Sequence, residues 1–229
     1  DLRIDYFLPG TREERWNVGY DGSYGSFSAL TGSSGSLSGI SISNDSSGDT
    51  LKATFTGTVN SVLKVQQIVS FGVNDKFFKN TVTLTNQTGA TMNNVRFMRS
   101  FDPDNTKYYG GGYTTSNRVE DQDGSDGAAI VSATSLADSY SSASGSTAKI
   151  LYYSQEAGAR VAAFGFRNMN PYASEFDTQG TGYAITRDGG ISIMIDVGSL
   201  AAGESKTVSY FTSLDNADIS ETIEKIEEA

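Results

Sequence analysis

The chain has 229 residues and contains neither histidine nor cysteine. Thiol nucleophiles, Ser-His-Asp triads and zinc or iron sites built on imidazole or thiolate are therefore excluded. Asp and Glu number 27 against 17 Lys and Arg, a net charge of −10; such a field repels nucleic acid and anionic membranes and gathers cations, unless it serves solubility alone. No run approaches the ~20 apolar residues of a membrane span. The charged opening Asp1-Leu2-Arg3-Ile4-Asp5 has no signal-peptide pattern, and the chain reads as a module cut from a longer protein.

In chain order, residues 2–8 alternate apolar and polar and stop at Pro9-Gly10, the pattern of a strand closed by a turn. Trp16, the single tryptophan, follows in RWNVGYDG. The Gly/Ser-rich segment 22–39 lacks helical period. Tyr24, Phe27, Leu30 and Leu37 recur through it, so it reads as an irregular piece tacked onto the core rather than a linker. Residues 51–56, 62–71 and 77–86 are rich in β-branched and aromatic side chains. TVTLTNQTGATMNNVRFM, residues 81–98, alternates on both sides of Gln87-Thr88-Gly89 and reads as a β-hairpin.

Further strands are expected at residues 128–133, 149–153, 160–166, 191–197 and 205–214, with turns at 155–158, 187–190 and 200–204. Roughly ten strands without helical intervals predict one all-β domain over residues 1–229, a two-layer antiparallel β-sandwich with irregular Gly/Asp-rich loops. Only the end reads helical: Asp218 caps a stripe of Ile219, Ile223 and Ile226, with Glu221 in capping-box spacing. This short helix either closes an open end of the sandwich or starts a connector over residues 216–229.

The chemistry concentrates in residues 95–127. Asp102-Pro103-Asp104-Asn105 offers three oxygen side chains, with Pro103 limiting the entropy lost on binding. Glu120, Asp121, Asp123 and Asp126 follow in a glycine-rich run. It resembles an EF-hand opening but carries one residue too many before Asp126 and lacks the closing Glu. Six to eight oxygens satisfy calcium, and Asn117 adds an amide oxygen to the candidate set. Plain Asp-turn chemistry is the alternative for each loop. Between the loops, Tyr108, Tyr109 and Tyr113 surround Gly111 and its neighbours, giving rigid contact area beside permissive backbone, or else tyrosines folded back on the sandwich. Thr115 supplies a hydroxyl for a polar ligand or a calcium shell. Arg118 could receive a carboxylate, though an ion pair with Glu120 fits it better. A carboxylate pair could hydrolyse a glycosidic bond, yet no carboxylate stands in apolar surroundings that would raise its pKa for the acid role.

FMRSFDPDNT, then YTTSN-x-V, then the Asp/Gly run resemble the peptide-binding domains near the C-terminal ends of giant bacterial RTX adhesins. The likeness extends from TVTLTN through NMNPY to LAAGESKTV. It implies a calcium-loaded β-sandwich that docks the free C-terminal end of a peptide, the ligand carboxylate coordinated directly to calcium. It also implies a monomeric module of a larger adhesion protein at the bacterial cell surface, acting in colonisation and biofilm. A companion module of such adhesins binds sugars, so calcium-dependent carbohydrate binding is the alternative and glycan processing a third.

Overall fold

The computed structural model describes residues 13–28, 32–33, 37–104, 112–124, 127–136, 148–165, 168–214 and 219–228. They form an all-β sandwich of two antiparallel sheets. The smaller sheet runs β12 (Ala159–Phe164), β14 (Gly190–Leu200), β8 (Met92–Phe101), β1 (Glu14–Tyr20), β2 (Ser23–Ser28) and β3 (Gly32–Ser33). The larger begins with β13 (Ala184–Arg187), β9 (Thr115–Gln122), β10 (Ala129–Ser135), β11 (Lys149–Ser154) and β15 (Ser205–Ser213). It continues through β7 (Phe77–Asn86), β6 (Leu63–Gly72), β5 (Thr50–Val59) and β4 (Leu37–Asn44).

Period-2 patterning decides which side chains meet between the layers. Val18, Val95, Phe97 and Ile193 of the smaller sheet pack with Val65, Leu84, Val119 and Val131 of the larger, all fully buried. Burying one such side chain contributes about 1.5–3 kcal/mol, so the inter-sheet contact holds the fold. A charged pair shares this region: Arg99 Nε donates to Glu14 Oε1 at 3.0 Å, beside Tyr152 and Tyr210. Burial pushes the Tyr210 hydroxyl up to about 12.

The strands expected at 81–98 are present, but they do not form a hairpin. β7 pairs with β6 and β15, whereas β8 pairs with β1 and β14 in the other sheet. The turn between them crosses the sandwich, and Asn86 fixes the crossing. Its buried Nδ2 donates to Ala90 O at 2.8 Å and Leu200 O at 3.0 Å, while Oδ1 accepts from Thr88 N at 2.9 Å. Alternating apolar residues look the same whether two strands lie side by side or face to face across a core.

The Gly/Ser-rich segment is also more regular than expected, since β2 pairs with β1 and β4 forms an edge of the larger sheet. The strand read at residues 2–8 lies outside the described residues. Helix α2 (Ile219–Glu227) closes no open end. It lies on the outer face of the larger sheet, where Ile226 packs with Ile130, Leu151 and Tyr153, and Ile219 and Ile223 lie against them. Tyr153 OH donates to Glu227 Oε1 at 2.8 Å. Asp218, its expected cap, lies outside the described residues. A one-turn helix, α1 (Glu175–Thr178), buries Phe176 against Phe164 on the outer face of the smaller sheet.

Candidate metal centre

β8 ends at Phe101, and the chain continues into Asp102-Pro103-Asp104 without becoming exposed: Asp102 is 8% exposed and Asp104 4%. Asp102 N donates to Glu13 O at 2.9 Å, extending the β1–β8 ladder by one bond. Pro103 has no N–H to satisfy and a fixed φ, so this buried bend costs little backbone entropy. The third member comes from far along the chain. Ile191 of β14 sits opposite Phe101, which sets the β13–β14 turn, with Asp188, against the end of β8. On its other side the turn passes close to the end of β12, where only a glycine fits at 189, because a Cβ there would lie 2.6 Å from Phe164 O.

Carboxylate oxygens of Asp102, Asp104 and Asp188 lie within 4.8 Å of one another, the first two residues buried and Asp188 exposed. Among the described residues, buried Asp102 Oδ1 accepts no hydrogen bond. Burial, and then the charges of Asp104 and Asp188, push the Asp102 carboxyl up to about 7. This corrects the expectation that no carboxylate here has a raised pKa. The flanking Phe101 and Pro103 do not by themselves reveal this burial, because it depends on how the end of β8 sits beside β1 and β14. A carboxylate that is buried, crowded by like charge and short of a donor fits a cation. The donor set is all oxygen, which suits a hard ion such as calcium. Calcium needs more oxygens than three carboxylates give in single contacts, and the exposed Asp188 side is where carbonyls, water or a ligand could complete the shell.

The remaining expected site residues are distributed otherwise. Asn117 is fully buried, its Oδ1 accepting from Thr115 Oγ1 at 3.1 Å and its Nδ2 donating to Gly189 O at 3.3 Å. It holds the turn that carries Asp188 and gives the acidic cluster no oxygen. Arg118 pairs with Glu120 at 2.9 Å, and the other Glu120 oxygen accepts from Ser132 Oγ at 2.6 Å. Asp121 Oδ1 accepts from Gln122 N and Thr181 Oγ1. Asp123 Oδ1 pairs with Arg160 Nη1 at 2.6 Å.

Strand geometry explains the division. Thr115 lies opposite Arg187, next to Asp188, while Gln122 ends the same strand. At ~3.3 Å per residue the far end is roughly 23 Å away, so Asp121 and Asp123 share no ion with Asp102. Tyr113 is 39% exposed. Asn105, Tyr108, Tyr109, Gly111 and Asp126 lie outside the described residues. Asp188 was missed because Arg187-Asp188-Gly189-Gly190 reads as ordinary turn chemistry, and only strand register shows what stands beside it.

The fold and the site thus define an antiparallel β-sandwich with a largely buried aspartate cluster able to hold a metal ion. No protein-family model and no curated protein matches the chain. Among solved structures it is similar to a putative kojibiose phosphorylase from human microbiome, at 12% identity and a TM-score of 0.48, over 97% of this chain and 28% of that one. It is also similar to the heparan sulfate lyase HepC from Pedobacter heparinus, at 10% identity and a TM-score of 0.42, over 76% of this chain and 21% of that one. A GH36 α-galactosidase from Geobacillus stearothermophilus gives 8% identity and a TM-score of 0.34, over 92% of this chain and 32% of that one. The chain spans about a fifth to a third of these proteins, and likenesses this distant say nothing of what it binds.

Proposed function

We propose that this chain is a calcium-dependent binding module of an extracellular bacterial adhesin, which docks the free carboxylate end of a peptide on a cation held by Asp102, Asp104 and Asp188. The observation that carries this reading is the cluster itself. Two carboxylates are buried, the third is exposed, and Asp102 Oδ1 accepts no hydrogen bond among the described residues. Two of the three residues belong to the FDPDN motif that carries the family resemblance. A ligand carboxylate approaching a chain of net charge −10 needs a local positive focus, which a bound cation supplies. The module binds without turnover.

The test is a titration of a free-acid peptide, its C-terminal amide and a monosaccharide panel, each with calcium and with EDTA. The free acid is expected to bind only with calcium, and the amide not at all, because amidation removes the charge. Equal binding of acid and amide would overturn the carboxylate mechanism, and binding of a sugar alone would move the reading to a carbohydrate module.

Asn117 gives a finer expectation on the same cluster. Replacing it with alanine removes one buried hydrogen bond to the Asp188 turn, worth about 0.5–1.5 kcal/mol. Calorimetry should therefore show calcium affinity weakened by up to about tenfold, with stoichiometry retained. Unchanged affinity would mean that the turn is held by other contacts.

A further inference from the structure

Along part of its length the inner face of the larger sheet stays apolar without being buried. On β6 the inward residues Leu63, Val65 and Gln67 are buried, but Val69 and Phe71, next on the same face, are only partly so. β5 grades the same way: Val59 and Gly57 are buried, Phe55 is half-buried, and Ala53 and Leu51 are exposed. The strip continues on β7 with Phe78, whose ring centroid stands 6.3 Å from that of Phe71, and on β4 with Ile42, 75% exposed. The opposite face of the same strands carries Lys52, Thr54, Ser70 and Lys79. Alternation thus keeps apolar side chains inward past the point where the described residues of the smaller sheet cover them.

Chain direction points to what covers the strip. Tyr20 OH accepts from Asn60 Nδ2 at 3.0 Å, and the Trp16 ring centroid lies 5.8 Å from that of Phe55. Followed backward, β1 therefore runs from the β5–β6 turn toward Ala53 and Leu51, so the residues before Glu13 enter beside the strip. Residues 2–8 cannot pair with β1 itself, because β8 holds one of its edges from Glu14 to Gly19 and β2 the other from Arg15 to Tyr20. Leu2, Ile4, Tyr6 and Leu8 share one side of an extended chain. Residues 9–12 reach roughly 13 Å at ~3.3 Å each. The strip is about 14 Å wide across four strands ~4.8 Å apart, within the roughly 23 Å of seven extended residues.

We propose that residues 2–8 lie as an extended segment on this strip, in the layer of the smaller sheet, with their even-numbered side chains against Ala53, Val69, Phe71 and Phe78. Pro9-Gly10 then turns the chain toward β1, and Arg3, Asp5 and Phe7 take the other side of the segment. Removal of apolar surface from water on both partners drives the contact. A tethered segment meets the strip at an effective concentration of about millimolar, well above that of a second copy in dilute solution. The contact needs no cation, so it stands apart from the reading of the aspartate cluster.

The chain has no cysteine, so pairs of introduced cysteines test the contact without background. Leu2→Cys, Ile4→Cys, Tyr6→Cys and Leu8→Cys are each combined with Ala53→Cys on the strip, and separately with Thr54→Cys on the opposite face. Under mild oxidation of dilute protein, at least one pair with Ala53→Cys is expected to form a disulfide within one molecule, about tenfold faster than its Thr54→Cys counterpart, because the bond requires Cα atoms within about 7 Å. Ile4→Asp should lower the melting midpoint by about 3–10 °C through lost burial. The proposal is overturned if no pair with Ala53→Cys links, or if the Thr54→Cys pairs link as fast. Disulfides that form only between two molecules would overturn it too, by giving the strip to a second copy, and so would an Ile4→Asp midpoint equal to that of the parent.

Discussion

Asp102→Asn is expected to raise the stability of the cation-free protein at pH 8 and to abolish its response to calcium. The folded-state pKa of Asp102, about 7, lies above the ordinary 3.8. Below pH 4 the carboxyl is protonated in both folded and unfolded chains and makes no difference. Between pH 4 and 7 the folded chain holds the proton more tightly, so stability falls as pH rises. Above pH 7 the full cost is present, roughly 4 kcal/mol for the gap between the folded and the ordinary carboxyl. The neutral amide avoids that cost and can donate to Asp104 or Asp188, but it no longer contributes charge to a cation. Urea denaturation in EDTA at pH 5 and pH 8 measures this directly. The parent chain should be more stable at pH 5, and the variant should have lost most of that difference. A variant less stable than its parent at pH 8 in EDTA would show that charged Asp102 is not crowded in the folded chain.

Calcium is expected to reverse the same penalty in the parent. A cation that binds only the folded chain stabilises it by RT ln(1 + [Ca]/Kd), about 2.7 kcal/mol at a hundredfold excess over Kd. For a chain of this size each kcal/mol moves the melting temperature by about 2–4 °C, so millimolar calcium should raise the midpoint by about 5–10 °C over EDTA. Because protons compete for the same carboxylates, the gain should shrink as pH falls toward 5. A midpoint that ignores calcium at pH 7.5 would remove the cluster from consideration as a calcium site.

The fold was legible from the sequence because alternation and turn residues report directly which side of each strand is buried. Val82, Leu84, Val95 and Phe97 were recognisable as one buried set. What alternation does not report is partner choice, so the 81–98 segment read as a hairpin when its halves belong to opposite sheets. The first described strand, β1, carries the same alternation at Trp16 and Val18, but the burial of its polar Arg15 and Asn17 has no signal in the sequence.

The site was legible in half. Asp102 and Asp104 announced themselves by proximity in sequence, and the same reasoning promoted Asp121 and Asp123. Local density of carboxylates says nothing of the cation that answers them. Asp123 has Arg160 of β12 in the facing sheet, whereas the charges that act on Asp102 are those of further carboxylates. Asp188 is 86 positions from Asp102 in the numbering and meets it only through the β8–β14 register.

That residue offers the most direct measurement. Calcium should be titrated calorimetrically into the parent chain, Asp188→Ala and Asp121→Ala under identical conditions. The parent and Asp121→Ala are expected to bind alike, and Asp188→Ala to lose the site or bind it at least tenfold more weakly, as loss of one coordinating carboxylate requires. Binding that survives in Asp188→Ala and disappears in Asp121→Ala would contradict the account and move the ion to the far end of β9.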